Sequence, residues 1–153
     1  MDLLSTAKAL YAAFNAHNIP GILDLLDDDV QWDSFGPDFA LAIGFFKGKK
    51  GVGDFFAKLV GSDGQQVDSV FEPQEYFVGG GTVHVIGFEA GTLTKHVAHG
   101  ADAGKQFYNN FDHTLWFSPS GKISHFRANY NLALPGSPTW KPWPPKTAGT
   151  ARP

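Results

Sequence analysis

His113 lies in a run, residues 107–117, whose alternate positions read Phe107, Asn109, Phe111, His113, Leu115 and Phe117. If that run is a strand, one face is apolar with His113 as its single ionisable group, and Tyr108, Asp112 and Trp116 take the other face. In the following run Ser124, Phe126, Ala128 and Tyr130 form the apolar face, while Ile123, His125, Arg127 and Asn129 point away, which puts Arg127 on Asp112's side. An imidazole in apolar surroundings has its charged form disfavoured, so it stays neutral near pH 7 and can both donate and accept a proton. The plainer reading of His113 is a core histidine satisfied by a backbone carbonyl. Asp33 follows Trp32 at the end of a short β-type run that opens at Val30. It is either a solvated strand-end acid or, against an aromatic cavity, a general base of raised pKa. His96 and His99 form a pair spaced by three without a third ligand, so no metal is assigned. No Ser-centred elbow, paired-acid arrangement or phosphate-cradling loop is present, and Gly79 to Gly81 reads as a hairpin turn.

The composition limits the chemistry further. The 153 residues contain no cysteine, which excludes disulfides, a thiolate nucleophile and cysteine-based metal centres. A net charge of -3 leaves no cationic surplus for nucleic acid or an anionic membrane. The start, Met1-Asp2-Leu3-Leu4, lacks the cationic region of a secretion signal, and no apolar run is long enough for a membrane span, so the chain reads as cytoplasmic. Aromatic residues make up 14% while charged residues are only 18%, below the roughly 25% of an average domain. That excess builds a large core or an aromatic cavity of the kind that holds small molecules.

Elements must then position these groups. Leu3, Leu4, Ala7, Leu10, Tyr11 and Phe14 recur at helical spacing over residues 3 to 17. Pro20 opens a second short helix with Ile22, Leu23, Leu25 and Leu26 on its buried side, ended by Asp27 to Asp29. Val30 to Trp32 reads as a short strand and Ser34 to Ala42 as loop, and Val52, Phe55, Phe56, Leu59 and Val60 as a third helix. From Val67 the period becomes two, with strands expected near 67–78, 82–90, 92–99, 105–117 and 122–132. Helices followed by an antiparallel meander predict an α+β fold. Residues 135–153 hold six of the 10 prolines and form a basic tail behind a domain of residues 1–134. Trp140 and Trp143 in that tail imply that it docks on the body or a partner as far as Pro145.

The segments LYAAFNAHNIPGILDLLDDDVQW, FKGKKGVGDFF and FDHTLWFSPSGKISHFRANYN resemble the SnoaL-like and ketosteroid-isomerase-related branch of the nuclear transport factor 2-like superfamily, over about residues 5 to 132. The resemblance implies a cone: a strongly bent antiparallel sheet closed by three helices around one apolar pocket, usually in a homodimer. His113 then matches the position where the isomerase keeps a protonated aspartic acid. Asp33 lies within a residue of the isomerase's proton-shuttling carboxylate and matches the corresponding aspartate of scytalone dehydratase, while gapless alignment puts Ser34 at the isomerase site. Tyr11 is one residue, about 100° of helix, beyond the isomerase's tyrosine position, which Leu10 occupies. His84 falls on the strand face expected to line the pocket and to look toward His113.

These matches imply a cofactor-independent enzyme that works by general acid/base catalysis on a hydrophobic oxygenated ring compound, as an isomerase, cyclase or dehydratase. Asp33, His113 and Tyr11 are its candidate catalytic residues, and Trp32, Phe35, Phe56, His84, Phe88, Phe111, Phe126 and Tyr130 its candidate substrate contacts. The alternative is a protein of the same fold that binds a small hydrophobic molecule without chemistry. The outer-face aromatics Tyr108 and Trp116, with Asp112, His125 and Arg127, point to a homodimer through that face and to an Asp112–Arg127 pair.

Overall fold

The computed structural model describes residues 2–35, 44–60, 67–93 and 106–133. Two helices start where side chains satisfy free backbone donors. Asp2 accepts from the Ser5 amide at 2.8 Å and caps α1, Leu3–Asn15. Asn18 accepts from the Gly21 amide at 3.0 Å and caps α2, Ile19–Asp24, with Pro20 in its first turn. α2 ends at Leu25, before the aspartates expected to stop it, and Asp27 to Asp29 belong instead to strand β1, Leu26–Phe35. The acids are accommodated because the pairing of β1 shifts register between Leu26 and Gln31, leaving them turned to solvent, where Asp28 meets Lys49 at 2.9 Å.

A second strand that the sequence reading did not anticipate, β2 (Gly44–Lys47), leads into α3, Gly48–Val60. Then come β3 (Val67–Gly79), β4 (Thr82–Leu93), β5 (Gln106–Phe117) and β6 (Ile123–Ala133). The six strands form one sheet in the order β2-β1-β6-β5-β4-β3, antiparallel except for the parallel β1–β6 pair. The expected α+β class holds, with a bent, unclosed sheet. The strand expected over 92–99 is not separate at its start, since β4 runs through to Leu93, and its remainder lies outside the described residues. The tail from Pro135 also lies outside them. No helix among the described residues is long and apolar enough to cross a membrane.

Helices α1 and α3 pack on one face of the sheet, here the inner face, and bury Leu10, Val52, Trp32, Val85, Leu115 and Phe126. Alternation places Val83 and Val85 of β4 inward and turns His84, Ile86 and Phe88 outward, opposite to the expected orientation of that strand. In β6 the pairing skips Ser124 between Trp116 and Phe117, and that bulge turns Ile123 into the core although simple alternation points it away.

The sheet bends where β3 carries a bulge between Pro73 and Glu75, opposite Gly87. Gly87 has no room for a side chain: a Cβ there would collide with the Glu72 carbonyl and sit 2.7 Å from Phe111 Cζ and 2.8 Å from Pro73 Cα. Two of these three obstacles are backbone, so relief requires the strand itself to move. Gly87→Ala should therefore cost about 1–3 kcal/mol. The check is the urea midpoint; an unshifted midpoint would show that β3 yields without cost.

Candidate functional site

On the inner face the structure brings Tyr11 and His113 together. Ala7, Leu10 and Tyr11 of α1 all turn into the core, so the residue one position beyond the isomerase's matched site still reaches the sheet. Tyr11 Oη lies 2.8 Å from His113 Nδ1, and both residues are buried. Their rings are parallel, 5.9 Å apart, with Phe111 stacked 4.3 Å from the imidazole and Phe126 edge-on at 5.0 Å. Burial in this aromatic box lowers the His113 pKa to about 3, and the charge of His84 adds to the effect. Burial likewise pushes the Tyr11 hydroxyl well above 10, assisted by Tyr76 and Asp112. The pair is therefore neutral at pH 7 and shares one proton between oxygen and nitrogen.

His113 Nε2 makes no hydrogen bond within the described residues. If Tyr11 donates to Nδ1, Nε2 carries a proton and is the free donor. If Nδ1–H donates to Tyr11, the phenol hydroxyl is free to donate and Nε2 to accept. In both tautomers the pair offers one donor and one acceptor to whatever touches it.

Phe111 and Phe126 contact this pair directly, and Trp32 and Phe56 belong to the same buried cluster one contact further on. Trp32 stacks on Phe126 at 4.0 Å and meets Phe56 at 5.7 Å. The side chain of Tyr130 lies outside the described residues. Phe35, His84 and Phe88 do not join the group, because strand alternation directs all three to the outer face. His84 there contacts Thr114 Oγ1 at 3.2 Å and Asp112 Oδ1 at 3.3 Å, so Asp112 pairs with His84 rather than with Arg127.

Asp33 is also outside, on the face opposite His113. With Trp32 taking the inward position, its neighbours Gln31 and Asp33 must point outward, and Ser34 is the buried inward residue that follows. The Asp33 carboxylate is nonetheless fully buried. His125 Nε2 stands 2.7 Å from its Oδ2, Arg127 Nη2 donates at 3.4 Å, and the Gln31 amide donates to both oxygens at 3.2 Å. Trp116 stacks on His125 at 4.3 Å, and the Arg127 guanidinium lies 5.7 Å from both Trp116 and Phe35. His125 and Arg127 as partners of Asp33 escaped the sequence reading, although Trp32's inward position and Ser34's match already carried the signal. No group of three potential metal ligands occurs among the described residues, and His96 and His99 lie outside them.

A family profile described as a SnoaL-like domain matches residues 7–126. Comparison with functionally curated proteins gave no match. Among solved structures, an NTF2-like protein of unknown function from Burkholderia pseudomallei is 21% identical, with TM-score 0.68 over 85% of this chain and 91% of that one. TerC, co-crystallised with polyporic acid, is 23% identical, with TM-score 0.65 over 84% and 90%. RV0760c from Mycobacterium tuberculosis, in complex with estradiol-17beta-hemisuccinate, is 20% identical, with TM-score 0.65 over 84% and 92%. At these identities the likeness is one of fold.

The buried imidazole makes stability depend on pH. An unfolded histidine titrates near 6.5 and His113 in the fold only near 3, so below pH 6.5 the unfolded chain binds a proton that the folded chain refuses. Stability should fall as pH drops through that window, by up to about 1.4 kcal/mol per unit. Between pH 7 and 5, urea midpoints of the native chain should decline more steeply than those of His113→Gln; parallel declines would place His113 in contact with water.

Proposed function

The chain belongs to the SnoaL-like domain family, and we propose that it takes a hydrophobic, oxygenated ring compound into its aromatic interior and polarises an oxygen of that compound with the Tyr11–His113 pair. The observation that carries this reading is the 2.8 Å contact between two buried, neutral, proton-sharing groups amid Phe111 and Phe126. A core histidine that only needed satisfaction would use a backbone carbonyl; this one uses a phenol, and its Nε2 has no hydrogen bond among the described residues. A neutral donor held in a water-poor site stabilises charge that develops on a carbonyl oxygen as a neighbouring C–H bond loosens. Isomerisation, cyclisation and dehydration of ring ketones share that first step, and none requires a cofactor when the donor and a proton acceptor are both side chains. The same pair supplies both, the acceptor being Nε2 in the tautomer where Tyr11 holds the substrate oxygen. The solved complexes of relatives with polyporic acid and an estradiol ester support a ligand of this class.

The second reading, a binding protein without chemistry, is favoured by the outward position of Asp33, which takes its carboxyl group away from the inner face. Carbon-bound hydrogen exchange separates the two. In deuterated buffer the chain should accelerate exchange next to the carbonyl of 1-tetralone. Tyr11→Phe should slow that exchange about 10²-fold while changing tetralone affinity less than tenfold. Binding without acceleration would establish the binder.

The same proposal includes a homodimer through the outer face. Trp116, His125, Arg127 and Phe35 form a continuous aromatic and cationic surface there, and Phe45 beside them is 73% exposed. Sedimentation at micromolar concentration should show a dimer that Trp116→Glu dissociates; a monomeric native chain would refute it.

A further inference from the structure

The Tyr11–His113 pair is not the only polar feature of the inner face. The indole of Trp32 is 1% exposed, and its buried Nε1–H has no hydrogen-bond partner among the described residues. Its ring neighbours are Phe126 at 4.0 Å, Phe55 at 5.6 Å, Phe56 at 5.7 Å and Phe14 at 6.2 Å, all hydrocarbon. A phenylalanine at this position would give the same stacking without an orphaned donor. The donor also lies close to the proposed site, because Trp32 and His113 pack against the same ring, Phe126, at 4.0 and 5.0 Å.

We propose that Trp32 Nε1–H is a second anchoring donor for the bound ring compound, receiving an acceptor atom at the end of the molecule away from Tyr11 and His113. This rests on the reading that the aromatic interior binds such a compound, and it narrows the ligand class to a planar ring system with hydrogen-bond acceptors at two ends, as in a quinone or diketone. A hydrocarbon of the same shape satisfies neither donor. A mono-oxygenated ring satisfies only one.

The test uses two probes of equal shape, duroquinone with two carbonyl oxygens and durene with none, and the full chain labelled with nitrogen-15 in its tryptophan indoles. The chain has 4 tryptophans, so Trp32→Phe assigns the Trp32 signal by its loss. Duroquinone should shift the Trp32 N–H proton downfield and slow its exchange with solvent, whereas durene should leave its exchange unchanged. Trp32→Phe should weaken duroquinone binding about tenfold, a change of ~1.4 kcal/mol, and leave durene binding within twofold. If both probes bind the native chain and neither alters the Trp32 N–H, the donor is spent on the π-face of a neighbouring phenylalanine and this inference fails while the binding interior stands. If neither probe binds, the interior is a closed core and both readings fall together.

Discussion

Trp32 stacked on Phe126 decides which chemistry each face of the sheet can have. The two residues sit opposite each other in the parallel β1–β6 pair, with ring centroids 4.0 Å apart. Once that stack is buried against Phe55 and Phe56 of α3, the period of two fixes the facing of the residues beside it, from Gln31 to Ser34 and from His125 to Ala128. Gln31, Asp33, His125 and Arg127 go to one side, and Ser34 and Ala128 to the other. A slip of one residue in β1 would bring Asp33 beside His113, but it would also put the indole in water and leave Arg127 without its carboxylate. The aromatic stack is the largest single block of apolar surface on these strands, and it wins.

The sheet consequently buries two polar clusters back to back, and each solves the burial problem differently. On the outer face the buried Asp33 carboxyl group is held by three neighbours, Gln31, His125 and Arg127. Losing one partner from such a cluster leaves a buried charge uncompensated, the costly outcome for buried ion pairs. On the inner face the aromatic rings supply no counter-charge, so the groups there stay neutral, and one hydrogen bond between Tyr11 and His113 satisfies one atom of each. In the outer cluster Asp33 Oδ2 accepts from Gln31 and Arg127 and meets His125, which ties β1 to β6. Among the described residues the inner pair keeps one donor and one acceptor over, which is what a ligand needs.

The fold was legible in the sequence because period and punctuation agree across most of its length. The stripe of Ala7, Leu10 and Tyr11, the proline at α2 and the alternation through Phe111, His113 and Leu115 each had one satisfactory arrangement. β2 was not legible: Gly44–Lys47 is four residues, too short for periodicity to register, and its pairing with β1 is a tertiary fact. Bulges were equally hidden, so Ile123 was assigned to the wrong face. The site divided along the same line. His113 was placed by alternation within its own strand, which is local information. Asp33 was aimed by likeness to carboxylates in related folds, and that likeness tolerates an offset of one residue where strand geometry tolerates none. Tyr11 shows the reverse case: an offset of one on a helix turns a side chain about 100°, yet a tyrosine is long enough for its hydroxyl to reach the imidazole across the core.

The low pKa of His113 bears on which kind of catalyst such an interior can be. A group held near 3 is a weak base at pH 7, and a chemistry that began with full proton removal by this imidazole alone would start far uphill. The same burial that weakens the base strengthens every hydrogen bond made beside it, since the effective dielectric is low and water does not compete. The arrangement therefore favours reactions in which a hydrogen bond to oxygen does most of the work and the proton moves late, from a carbon already made acidic by conjugation with more than one carbonyl. Substrates acidified in that way carry acceptor atoms at more than one position on the ring system, and separated donors on Trp32 and on the Tyr11–His113 pair match such a molecule.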